Sequence, residues 1–291
     1  MWWTLLKIFA ALSTYSAAIE PRFVVRNDED APIPNLPRAW EGKQLVAFAD
    51  LQVGMWWANK DAIRRAVRKT LSVHPAFVLL AGDFVYDADQ SFEDQTREVV
   101  GLLQPILDDS IPIYAVLGNH DYSLMNERSE QDNLVAHRVT EGLSKAGIRM
   151  MDNASQPLVA GDGADTLYLV GVGEKWAKND HVDVAFAKVP PSAPRVVFMH
   201  DPDCFGKTPA GDAPFAVAAH THGMQIGIPW LSDYLWSHYF SDEGVGVEGW
   251  QRDKGQKGNA VYITRGIGFS VVPARLNAVP EITVFTLQRA P

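Results

Sequence analysis

An α/β fold, with a largely parallel sheet covered on both faces and a second sheet packed against it, is predicted by three observations. Short apolar runs of strand type alternate with helical periodicity through the first half of the chain. Short strands dominate the second half, with no composition shift that would mark a separate domain. The metal-capable side chains fall where the apolar runs stop, which is where a parallel sheet opens its ligand crevice.

The elements follow in order. Residues 1–19 are apolar apart from Lys7, two threonines and two serines. The charge-free run from Ile8 to Ile19 is shorter than the roughly 20 residues a membrane span needs and fits the apolar core of a signal peptide, about 7–15 residues. Ser16-Ala17-Ala18 offers a small-residue cleavage site. An uncleaved anchor is the alternative, with Trp2 and Trp3 at the interface and Lys7 snorkelling. Either reading makes the protein exported or membrane-associated, and the remaining alternative is a packed N-terminal helix. Lys7 before the run and Arg22, Arg26 and Arg38 after it leave the side open. Residues 20–42, rich in Pro and charge, read as a linker or lead-in, and the folded domain takes 43–291.

Within that domain, Gln44 to Ala49, Phe77 to Ala81 and Ile113 to Leu117 are strand runs, separated by helical patterns at Lys60 to Ser72 and Asp94 to Leu107. A third helix is expected from Asn133 to Ala146. Strands follow at Thr166 to Gly171, Val196 to Met199, Ala216 to Ala219, Ala260 to Thr264 and Ile282 to Leu287. No internal repeat is visible.

Composition narrows the chemistry. The 291 residues carry 26 Lys and Arg against 35 Asp and Glu, a net charge of −9, which excludes a nucleic-acid-coating role. A hydrophobic content of 47% is enough for a sizeable core. The single cysteine, Cys204, excludes an internal disulfide and a thiolate cluster. Any metal must therefore sit on His, carboxylate and amide.

Such groups stand at five strand ends: Asp50 and Gln52, Asp83 after Gly82, Asn119-His120-Asp121 after Gly118, His200, and His220-Thr221-His222. Taken singly, an Asp after a strand is a helix cap or turn former, and a lone His is a core or surface residue; His74, His137, His181 and His238 are read that way. The ordered set is different. Two divalent ions about 3.5–4 Å apart can clamp a phosphoryl group, activate a bridging water and stabilise both oxygens of an in-line displacement. Cations that close need a shared carboxylate, for which Asp83 is the candidate. His220 and His222, one residue apart, can reach different metals. Two aspartates against two divalent cations leave a local positive charge that attracts an anionic ester despite the acidic chain.

In kind and order these motifs resemble the calcineurin-like metallophosphoesterases, and within them the bacterial membrane-associated branch similar to YkuE and YaeI. The finer likeness rests on Ile19-Glu20-Pro21, Met199-His200-Asp201-Pro202-Asp203, the segment from His220 to Gln225, and the tail from Tyr262 through Gly268 and Arg275 to Thr283. It covers residues from about 19 to 287. The resemblance implies a four-layer α-β-β-α sandwich with two mixed sheets. It implies two divalent metals, the first on Asp50, Gln52, Asp83 and His222, the second on Asp83, Asn119, His200 and His220. His120 would serve as phosphate stabiliser or acid toward the leaving group, with Asp121 orienting it.

Two positions depart from the family pattern. Gln52 stands where His is usual, and Ala219 where Gly is usual before the paired histidines. An amide oxygen is harder than an imidazole nitrogen, so the first site leans toward Mn, Mg or Fe over Zn, with Mn favoured. Ala219 matters only if its backbone needs a positive φ.

For substrate, Arg265 and Arg275 are candidates to bind a second phosphate. Aromatics between Pro229 and Trp250 suit loop packing or a lipid-like or ringed leaving group. The function expected is hydrolysis of a phosphodiester or pyrophosphate bond in a lipid-linked or nucleotide-like small molecule. The alternatives are a catalytically impaired relative that binds metal and phosphate as a sensor or scaffold, motivated by Gln52, and a metal-dependent hydrolase of another bond, such as an amide.

Overall fold

Alternation within each strand sends successive side chains to opposite faces, and both faces of the central strands are apolar. In the computed structural model, which describes residues 2–86, 88–160, 165–252 and 255–290, this produces two sheets with a shared core between them and helices outside.

The strands are β1 (Val25–Ile33), β2 (Gln44–Phe48), β3 (Phe77–Ala81), β4 (Ile113–Val116), β5 (Arg149–Met150), β6 (Ala154–Ala160), β7 (Asp165–Gly171), β8 (Arg195–Phe198), β9 (Ala216–Ala218), β10 (Gly249–Gln251), β11 (Val261–Ile263) and β12 (Glu281–Arg289). The first sheet runs β1-β12-β2-β3-β4-β5 and the second β10-β11-β9-β8-β7-β6. In the first, β2 to β5 are parallel and β12 is antiparallel to β2. In the second, β7, β8, β9 and β11 are parallel, with antiparallel β6 and β10 at the edges. Both sheets are mixed.

Leu45, Ala47, Phe77 and Leu79 point inward and meet Leu167, Leu169, Val196, Phe198 and Val217 from the second sheet. Val46, Phe48, Val78 and Leu80 point outward. That outer face is covered by α2 (Trp57–Val73), α3 (Ala88–Asp108) and α4 (Asn133–Lys145), so the sandwich has the expected α and β layers on this side. On the other side Val197, Ala216 and Ala218 pack against the short α5 (Val182–Phe186) and the 3-10 turn at Pro202–Lys207. A further helix, α6 (Leu231–Tyr239), lies in the aromatic segment where no element was expected.

Residues 25–33 lie in the segment expected as a linker or an extended lead-in. They form β1, paired in parallel with β12 from Val25 opposite Glu281 to Ile33 opposite Arg289. Asn27, Asp28, Glu29 and Asp30 have poor strand propensity, and Pro32 lacks a donor. Both are tolerated because β1 is an edge strand, with Ala31 and Ile33 buried at its end.

Before it, α1 (Trp2–Thr14) buries none of its residues and exposes Trp2, Trp3 and Phe9. No described helix is long and apolar enough to cross a membrane. The chain then docks on the domain: the Arg275 backbone N–H donates to Ser16 O at 2.9 Å, and the Ala278 N–H donates to the buried Glu20 carboxylate at 2.8 Å.

Candidate metal centre

The parallel strand ends of the two sheets meet at three alanines. Ala49, Ala81 and Ala219, each buried, form a small cluster of their own. Side chains this small let the two sheets approach, and the residue after each strand is delivered to the same pocket. Ala219 is thus a packing residue, and it is not among the residues with positive φ, so the departure from Gly costs the site nothing.

Immediately beyond the alanines the backbone turns sharply. Asp50, Gln52, Asp83, His220 and His222 all lie at φ between 49° and 70°, a region non-glycine residues rarely adopt. Such strain persists where the surroundings over-determine it, and it gathers at functional sites. Gly82, at φ 88°, is obligatory for a second reason: a Cβ there would stand 2.6 Å from Gly118 N and 2.8 Å from His200 Nδ1.

The structure brings all seven expected ligands together, in two groups that share Asp83. In the first, ligand atoms of Asp50, Asp83 and His222 lie within 4.8 Å of one another, with His222 Nε2 3.6 Å from Asp50 Oδ1. Gln52 joins by donating its Nε2 to Asp83 Oδ2 at 2.7 Å. With the amide nitrogen facing Asp83, Gln52 Oε1 is left without a hydrogen bond. In the second group, Asn119 Oδ1 is 3.1 Å from His200 Nε2 and 3.0 Å from His220 Nδ1, and these two ring nitrogens are 3.2 Å apart. His200 Nε2 is also 3.4 Å from Asp83 Oδ2.

Several of these atoms have no partner that would explain their burial. Asp50 Oδ1, Asp50 Oδ2 and Gln52 Oε1 are buried without a hydrogen bond. Unpaired buried polar atoms are costly, and a hard cation ligated by those oxygens would relieve the cost. The outer contacts orient the donors in the same sense. Ala81 O takes the Nδ1–H of His200 at 2.7 Å, Gly268 O faces His222 Nδ1 at 3.3 Å, and Leu124 O accepts from Asn119 Nδ2 at 2.7 Å. Each leaves a lone pair aimed inward.

Burial sets the protonation. It pushes the Asp50 carboxyl up to about 7, with Asp83 adding to the rise, and the Asp83 carboxyl up to about 8. Burial also lowers His200, and lowers His220 and His222 well below the ordinary imidazole range, so all three rings are neutral and able to ligate a cation. The donors present therefore fit two divalent cations.

His120 lines the same cavity, about 270 Å³ in volume. Its ring stacks on Tyr86 with centroids 5.1 Å apart, Nδ1 is 2.9 Å from Tyr86 O, and Nε2 is 3.1 Å from Ser270 Oγ. Asp121 is held by four backbone amides. Its Oδ1 accepts from the Phe84 and Val85 amides at 2.9 and 3.2 Å, and its Oδ2 from the Asp83 and Gly118 amides at 3.0 and 2.9 Å. The carboxylate ties the Asp83 loop to the Gly118 loop, and the Tyr86 carbonyl aims His120.

The two arginines expected at a second phosphate are placed otherwise. Arg275 is fully buried and donates to the carbonyls of Gly268, His222, Ala278 and Arg265. It braces the loops around His222, and burial lowers its guanidinium to about 10. Arg265 is taken up by ion pairs with Glu281 and with Glu248, the latter at 3.4 Å. Neither presents a free guanidinium to a ligand.

Ser270, Trp176, Tyr86 and Asn59 were missed in the sequence. Asn59 donates to Gln52 O at 3.2 Å and steadies the first loop. Trp176 stands edge-on to His220 at 4.8 Å. None has a local signature, since each reaches the site only through folding; Ser270 alone had a clue, standing two residues beyond the Gly266-Ile267-Gly268 segment.

A family model described as calcineurin-like phosphoesterase matches residues 43–224. The chain is 29% identical to phosphodiesterase YaeI of Escherichia coli, over 84% of this chain and 82% of that one. It is 23% identical to the metallophosphoesterase YkuE of Bacillus subtilis, over 94% and 89%. It is 24% identical to the UDP-2,3-diacylglucosamine pyrophosphatase LpxG of Chlamydia trachomatis, over 80% and 81%. The family match spans the strand ends that carry Asp50 through His222, and the chain belongs to the calcineurin-like phosphoesterases, metal-dependent hydrolases of phosphoric esters.

Proposed function

We propose that this enzyme is a dinuclear phosphoesterase that cleaves a phosphodiester or pyrophosphate bond in a lipid-linked or nucleotide-like small molecule. The observation that carries the reading is the pair of donor groups sharing Asp83, with the Asp50 oxygens buried and unpartnered beside them. Asp50, Gln52, Asp83 and His222 would hold one cation, and Asp83, Asn119, His200 and His220 the other. The bound pair supplies a nucleophile from water at neutral pH and charge for the attacking and leaving oxygens. Three oxygens and one nitrogen at the first position favour Mn, with Fe and Mg next and Zn last.

The chain's own groups do the rest. His120, held through Nδ1 by Tyr86 O, keeps Nε2 for the substrate. There it stabilises a phosphoryl oxygen or hands a proton to the leaving oxygen, and Ser270 Oγ is the partner of that nitrogen when substrate is absent. Asp121 keeps the two loops in register so that Asp83 and His120 face one cavity. The names of YaeI and LpxG, a phosphodiesterase and a pyrophosphatase, support the bond class. The exposed apolar α1 supports an export signal or an interfacial anchor over residues 1–19.

Hydrolysis of bis-p-nitrophenyl phosphate with added Mn tests the proposal. Turnover that needs the cation is the expected result. Metal binding with no turnover under any divalent cation would favour the sensor or scaffold instead.

A further inference from the structure

The cavity over the metal ligands does not end at His220. It opens into a groove of about 500 Å³, and the two share Trp176, His220, Trp236 and Phe240 as a common wall. Trp176 and Trp236 stand edge-on to the His220 ring from two directions, at 4.8 and 6.2 Å. Phe240 stacks on Trp236 at 5.7 Å, and Phe240 and Tyr239 are 61% and 70% exposed. The Trp236 indole N–H is buried without a hydrogen-bond partner, although buried indole donors usually find one.

The remaining lining is polar: Arg128, Glu127, Asn126, Asp201 and Asp203. Arg128 forms no ion pair among the described residues, whereas Asp203 is bonded to Lys175 at 3.1 Å. Acids outnumber the one free cation, so a second phosphate is poorly served here. An acyl chain is also a poor fit, because it would strip water from carboxylates and amide and offer them nothing. Asp203 is already committed to Lys175, Ser241 Oγ and the Asp242 amide, and Asp201 to the Asp203 amide, so a flat, neutral ring with N–H donors and ring acceptors meets the aromatic wall, Glu127 and Arg128. It can stack on exposed aromatics, donate to Glu127, and accept from Arg128.

We infer that this groove is a nucleobase subsite, so that the ester cleaved at the metal centre carries a nucleoside. The inference rests on the phosphoesterase reading for the position of the phosphate and goes beyond it for the substrate class. A base stacked on an aromatic wall gains enough to matter in affinity, on the order of tenfold or more.

Competition isolates the base. Adenosine 5′-monophosphate and ribose 5-phosphate share sugar and phosphate and differ only in adenine. As inhibitors of Mn-dependent bis-p-nitrophenyl phosphate hydrolysis, the nucleotide should bind about tenfold more tightly, and Tyr239→Ala and Arg128→Ala should each shrink that ratio. Equal inhibition by the two compounds would overturn the subsite, as would a ratio that both variants leave intact. If the enzyme turns over nothing, the phosphoesterase reading fails separately. Equilibrium dialysis of the same two compounds against the full chain then decides the subsite: preferential retention of the nucleotide supports it, and equal retention overturns it.

Discussion

Asp121→Asn separates a loop brace from a catalytic orienter. Each Asp121 oxygen accepts two backbone N–H groups, Oδ1 those of Phe84 and Val85 and Oδ2 those of Asp83 and Gly118. An asparagine keeps one oxygen and turns an NH2 toward the other pair, so two buried amide donors lose their acceptor. At about 1–3 kcal/mol for each buried donor left unsatisfied, the loss is about 2–6 kcal/mol. That is a large share of a typical folding free energy of about 5–15 kcal/mol. Urea unfolding of the metal-free protein reads the change as a lower midpoint at constant slope. Asp121→Ala removes acceptors for both pairs and should be worse still. If Asp121→Asn left the midpoint unmoved while turnover collapsed, the brace would be wrong and a direct role toward His120 would be restored.

Other outcomes follow from the same geometry. Asp83→Asn should abolish turnover and strip bound metal together, measured by elemental analysis, because Asp83 is common to both donor groups. His120→Ala should keep its metals and slow turnover about 10²–10⁴-fold, as loss of a positioned proton-transfer group does. Gln52→His should move metal preference toward Zn, read by competition between Mn and Zn for the chelated protein. Without metal, Asp50 and Asp83 titrate at about 7 and 8, above their unfolded values. Their contribution to stability is fully present below about pH 4 and is lost as pH rises through 7–8. Cations bind the deprotonated pair, so the gain in melting temperature on adding Mn should grow from pH 6 to pH 8. A gain that shrank over this range would contradict the protonation states.

Legibility in the sequence followed the range of the interactions involved. The strands β2, β3, β4, β8, β9 and β11 were readable because each is a short apolar run, and the residues gathered at the candidate site because they stand close behind five of those runs. β1 was not readable. Its Asn-Asp-Glu-Asp core has no apolar alternation, and it is a strand only because β12, more than 250 residues later, supplies the ladder. Arg265 and Arg275 pointed toward substrate when charge alone was visible. Folding redirects them: Arg275 is enclosed among carbonyls, and Arg265 is drawn into ion pairs with Glu281 and Glu248. The amide hydrogen bonds of Asp121 were not legible either, because they depend on the 3-10 turn at His120–Tyr122 carrying the carboxylate to the loop amides. Trp176 and Trp236 come from distant segments and meet only around His220.

The two-cation centre is tested most directly by anomalous diffraction at the Mn edge from crystals of protein shown to be active. Two peaks are expected, one among Asp50, Gln52, Asp83 and His222 and one among Asp83, Asn119, His200 and His220. Active crystals with no peak between those side chains, or with a single peak at full activity, would contradict it.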